Sequence, residues 1–143
     1  MDWLGYLSLA AGVSAAITLF IQLYKAQRVR QSELIASLSE RWNSSPLEKS
    51  KELADSLGRD ELPKAIRDAY EAASPDWYVL MRIPSFFNTV GAMVERGDLS
   101  EKLVLYLFGM ELRHYWNLYK NALTAEQLEG IPGFQMLGQR VIK

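Results

Sequence analysis

Between Trp3 and Tyr24 the chain carries no charged side chain. As a helix such a run is about 32 Å long, close to the roughly 30 Å hydrocarbon thickness of a bilayer. No other feature restricts the fold as much. Its leucines, isoleucines, valine and phenylalanine favour insertion by about 0.3–0.6 kcal/mol each, while Ser8, Ser14, Thr18 and Gln22 take part of that back. The expectation is a transmembrane anchor over residues 1–24. Trp3 and Tyr6 would mark one interface and Tyr24 the other. A cleaved signal peptide would start basic and be shorter, whereas this chain starts with Asp2 and its cations follow the run. A buried helix of a soluble protein is the other reading, but a charge-free run this long is rare in small soluble domains.

Directly after Tyr24, Lys25, Arg28 and Arg30 make the chain basic. By the positive-inside bias they place the following residues in the cytoplasm, with the N-terminus outside a cell inner (plasma) membrane. They could also hold anionic lipid, although ordinary topology anchoring explains them. Ser8, Gly12 and Ala16 recur every four residues and form a smooth stripe against which another membrane helix could pack closely. The expected partners are the lipid bilayer itself and another membrane protein or a homo-oligomer.

No Gly or Pro interrupts residues 25–43, so the helix should continue as a basic stalk, with Leu34, Ile35, Leu38 and Trp42 on one face. Residues 44–130 read as a small helical domain and 131–143 as a tail. Ser45, Pro46 and Glu48 spell a helix start, and Gly58 a left-handed stop. Asp60 should cap a helix with Leu62, Ile66, Ala69 and Ala73 on its apolar side. Ser74 and Pro75 precede another, lined by Leu80, Ile83, Phe87, Val90 and Val94 and ended by Gly97. Pro84 should kink or restart that helix, because it removes a backbone bond to Leu80. The segment "LVLYLFGM" is apolar on every face, which fits a central core position or a surface covered by something else. Thr124 starts a last short helix. The fold class expected is all-α: a transmembrane helix, a cytoplasmic stalk and a small antiparallel bundle.

The stretches "RWNSSPLEKSKELA" and "IPSFFNTVGAMVERGDLSEKLVLYLFGMELRHYWNLYKNAL" behind an apolar helix resemble a bacterial family of unknown function. Its members are small single-pass, membrane-anchored helical proteins. The residues that carry the resemblance are Asn43, Ser45, Pro46, Phe86, Phe87, Gly97, Phe108, Gly109 and Trp116. The chain departs from it at Asn88, where the resemblance implies an acidic residue. The family brings architecture and no activity.

Chemistry is sparse. Cysteine is absent and His114 is the only histidine, which excludes disulfides and thiolate metal sites. Glu111 and His114 form half of a di-iron carboxylate motif, and a complete site would have to be shared across a dimer. With one histidine and no Gly-x-Ser-x-Gly turn, a nucleophilic triad has little to build on, and no glycine loop cradles phosphate. A net charge of -1 gives no general attraction for nucleic acid. Neither cofactor nor metal is expected. Among the aromatics most should be core, while Phe86, Phe87, Tyr115, Trp116 and Tyr119 include more rings than a helix pair can bury and are the candidate partner surface. The functional expectation is a non-enzymatic accessory or interaction subunit of a larger membrane complex. A stand-alone membrane-tethered cytoplasmic regulator or sensor is the alternative, and a metal-dependent enzyme with a cross-dimer site the remote one.

Overall fold

The computed structural model describes residues 3–142, with side chains from Val13 onward. Among these residues every regular element is helical: α1 (Trp3–Trp42), α2 (Ser45–Glu71), α3 (Asp76–Glu95), α4 (Glu101–Tyr119), α5 (Ala125–Glu129) and α6 (Pro132–Arg140). The chain divides into two compact units, the first ending at Ser37 and the second beginning at Leu38. The last turn of α1 and all of residues 131–142 therefore belong with the bundle.

The first unit corrects the expected location. Among the described residues no helix is long and apolar enough to cross a membrane. This overturns the single-pass inner-membrane placement with an outside N-terminus and a cytoplasmic domain. In physical terms, the described charge-free side chains run only from Val13 to Tyr24, about 18 Å of helix against a roughly 30 Å hydrocarbon layer. Ser14, Thr18 and Gln22 dilute them, and Lys25 and Arg28 follow at once. Of the residues assigned to a membrane interface or helix contact, Trp3, Tyr6, Ser8 and Gly12 lie outside the described side chains.

In the second unit α3 is the central element, packed against α2, α4 and α6. Its apolar stripe reads as expected from periodicity, with Leu80, Ile83, Phe87 and Val90 all but inaccessible. Gly97 ends it at φ +76°, with Asp98 N–H on Met93 O and Gly97 N–H on Val94 O, the paired bonds of a Schellman stop. α2 bends at Gly58, whose φ of 60° and ψ of -163° suit only a residue without Cβ.

Two local expectations fail for physical reasons. The first concerns the start of α2. Its cap residue is Ser44, whose hydroxyl donates back to Arg41 O instead of accepting from the first helical turn. The second concerns a fresh start at Pro84, which instead lies inside α3. Proline at position 84 deprives Leu80 O of its intrahelical donor, and the Tyr119 hydroxyl, 2.6 Å away on α4, takes that place. A tertiary hydrogen bond thus satisfies the carbonyl that the proline orphans.

The tail docks. In α6 Phe134 and Leu137 are fully buried, and the helix approaches α3 through two glycines. A Cβ on Gly133 would lie 2.5 Å from Asn88 O, and one on Gly91 2.5 Å from Gly133 Cα. Asn88 Oδ1 accepts from Gly133 N–H at 2.9 Å. The residue that departs from the family resemblance therefore helps to seat α6.

Candidate functional site

In the first unit the described part of α1 is an apolar helix in the open. Val13, Ile17, Leu19, Phe20, Ile21, Leu23, Tyr24 and Val29 are each between 47 and 71 % exposed. They do not share one stripe: Ile17, Ile21 and Tyr24 lie along one side, while Leu19 and Leu23 follow each other on another. Ser14, Thr18 and Gln22 between them are exposed too, and Thr18 Oγ1 donates to Ser14 O at 2.9 Å. Ala16 is exposed as well, so that member of the small-residue stripe is open to contact. Below the apolar part Lys25, Arg28 and Arg30 are exposed, and the Arg28 guanidinium sits 5.1 Å from the centre of the Tyr24 ring, a cation–π contact.

The five aromatics expected at a partner surface lie elsewhere. Phe86, Phe87 and Tyr119 are fully buried, and Tyr115 and Trp116 nearly so. The expectation assumed that two helices had to cover these rings, but four share them. Trp42 from the end of α1 stands 5.0 Å from Phe86, 5.1 Å from Phe87 and 5.8 Å from Tyr115. Phe134 from α6 stands 5.2 Å from Trp116 and 6.0 Å from Phe87. Gly138 makes room beside Trp116, since a Cβ there would fall 2.2 Å from the indole. These residues are core.

His114 ties α4 to α2. Its Nε2 lies 2.8 Å from Asp55 Oδ1, and the Tyr115 hydroxyl donates to Asp55 Oδ2 at 3.2 Å. The ion pair is about half exposed on both sides, so it contributes no more than about 1 kcal/mol. Burial first, and the Asp55 carboxylate second, push the Tyr115 phenol well above its ordinary range. Burial does the same to Tyr119. Among the described residues no three His, Asp or Glu side chains converge as a metal site. Glu111 is thus not assembled with His114 into a larger acidic cluster.

Tyr70, Tyr78 and Ile142 are exposed on the bundle, and its most exposed large apolar side chains stand on the outer side of α4. In "LVLYLFGM" Val104 and Phe108 turn into the core, whereas Tyr106 is 85 % and Met110 87 % exposed. The all-round apolar pattern thus serves two surfaces at once. Its signal was the spacing of Tyr106 and Met110, four residues apart and out of phase with Val104 and Phe108.

A family model described as a domain of unknown function, DUF4760, matches residues 7–131. No curated protein and no solved structure matches the chain. The matched region ends just before α6, the helix that completes the aromatic core.

Proposed function

The chain belongs to the DUF4760 family of unknown function, and we propose that this member is a non-enzymatic interaction module, an accessory subunit that binds a partner protein through α1. One observation carries the reading: the eight large side chains from Val13 to Val29 are open to solvent along a single helix. Contiguous exposed apolar surface of this extent marks contact sites in folded proteins. Completing their burial would contribute on the order of 1 kcal/mol each, enough in sum to offset the cost of association. Because apolar groups face several directions, the partner covers α1 on more than one side, as neighbouring helices would. Ala16, the described member of the Ser8, Gly12 and Ala16 stripe, is exposed as well.

A photo-crosslinking residue in place of Phe20, in the intact protein expressed in its native host, tests this. A stoichiometric partner joined at position 20 and identified by mass spectrometry is the expected result. Recovery of the full chain as a free monomer in plain buffer, with no crosslink at that position, would overturn it. Gly12→Leu should weaken the association while the bundle keeps its thermal stability.

A further inference from the structure

Tyr106, Leu107 and Met110 are exposed on the outer side of α4, and there we infer a docking site for an amphipathic helix of a partner protein with an acidic flank. Three observations converge there. Tyr106 and Met110 are the two most exposed large apolar side chains among the described residues. They stand one turn apart on the same side of the helix, with Leu107 40 % exposed beside them.

The second observation is Gly109. Glycine inside a helix costs about 1 kcal/mol relative to alanine, and the other helix-packed glycines of the bundle have an internal reason to be there. At Gly91, Gly133 and Gly138 an added Cβ would collide with a neighbouring helix, whereas at Gly109 it would meet nothing within 4 Å. No contact within the fold calls for a glycine at this place. What its missing side chain leaves is bare helix surface beside Tyr106 and Met110, open to a close-packing partner.

The third is charge. A groove of about 600 Å³ runs along this side, and the basic residues lining it are Arg113, His114 and Arg140, with no carboxylate in the lining. Arg113 is exposed there, and its Nε–H donates to Val141 O at 3.0 Å. Lys102, one turn before Tyr106, is exposed too. Glu101 engages Arg140 at 3.6 Å and Asp55 engages His114 at 2.8 Å, so Arg113 and Lys102 carry the available positive charge. Apolar anchors with Lys102 and Arg113 along one edge, and Glu111 on the opposite edge beyond Leu107, fit a helix presenting Leu or Phe at i, i+3 or i+4 and i+7 with Glu or Asp along the edge that meets the two cations. Met110 suits such a role because its unbranched thioether adapts to the partner's shape. A second copy of this face would bring its own Arg113 and Lys102 against the same cations.

This inference rests on the interaction-module reading and deepens it by naming a partner chemistry. It is tested by fluorescence polarisation on the full chain. The probe is a labelled amphipathic peptide with Leu at the anchor positions and Glu at the flanks, compared with the same peptide carrying Lys for Glu. The acidic peptide should bind at least about ten-fold tighter. Met110→Glu and Gly109→Leu should each weaken it by a similar factor without loss of thermal stability, since neither position touches the core. Arg113→Glu should reverse the charge preference. Equal binding of both peptides, no binding, or wild-type binding by Met110→Glu would each overturn the proposal. So would a wild-type dimer that Met110→Glu dissolves, because the occupant would then be a second copy. Met110→Glu should leave the Phe20 crosslink intact. A wild-type chain that gives the Phe20 crosslink but binds neither peptide sinks this surface alone, and a wild-type chain that binds the acidic peptide but gives no crosslink sinks the α1 reading alone.

Discussion

Removing one oxygen atom from Tyr119 should cost more than its place at the end of α4 suggests. Its hydroxyl donates to Leu80 O at 2.6 Å, and both residues are essentially inaccessible to water. Leu80 O has no helical donor because the residue four positions on is Pro84. In Tyr119→Phe that carbonyl stays buried and unpaired, a loss of about 2 kcal/mol, or roughly 8 °C in Tm for a domain of this size. The reasoning is checked by a cycle rather than by one variant. Pro84→Ala restores an N–H that can bond Leu80 O, whatever the smaller side chain costs in packing. In that background Tyr119→Phe should cost less than about 1 kcal/mol, giving a coupling of about 1 kcal/mol or more. Urea unfolding followed by tryptophan fluorescence measures all four chains. Costs for Tyr119→Phe that agree within about 0.4 kcal/mol in the two backgrounds would show that the hydroxyl does not replace the bond lost at Pro84.

Alkaline pH should act on the same group. The folded-state pKa values of Tyr119 and Tyr115 are raised above the ordinary 10.0, so the native state keeps protons that the unfolded chain loses. Their contribution is intact below pH 10 and falls as pH rises beyond it, by up to about 1.4 kcal/mol per pH unit for each tyrosine. Tyr119→Phe should make that decline shallower in a pH series of urea unfolding. Glycine substitutions should split by location. Gly133→Ala drives a Cβ to 2.5 Å from Asn88 O, which forces α6 off α3 and lowers stability by about 1–3 kcal/mol. Gly109→Ala, with nothing within 4 Å, should raise it by up to about 1 kcal/mol. Thermal unfolding distinguishes the two signs. His114→Ala should change stability by less than about 1 kcal/mol, because its ion pair with Asp55 is half in water.

Several features were legible because they depend on residues close in the chain. Periodicity marked the buried sides of α2 and α3 except at Ala73, which lies exposed past the end of α2 at φ 48°, and Gly58 and Gly97 both adopt the positive φ expected where a helix bends or stops. Thr124 caps α5 as read, its hydroxyl accepting from Gln127 N–H at 3.2 Å. Cap choice within "NSSP" was off by one residue because Ser44 and Ser45 offer the same chemistry, and the Ser44 hydroxyl bonds Arg41 O instead.

By itself, then, the sequence determined that the chain is helical, where most helices begin and end, and that its first segment presents apolar groups in excess. Each of these follows from interactions within a turn or two of backbone. Only the tertiary structure decided that Pro84 stays inside a continuous helix, since the rescuing hydroxyl comes from Tyr119 on another element. It also decided that the tail docks through Gly91 and Gly133. Trp42 and Phe134 turn the paired phenylalanines into core, which leaves Tyr106 and Met110 as the open face of α4. A side chain's surroundings are set by which distant helices meet it, and local pattern holds no record of that meeting.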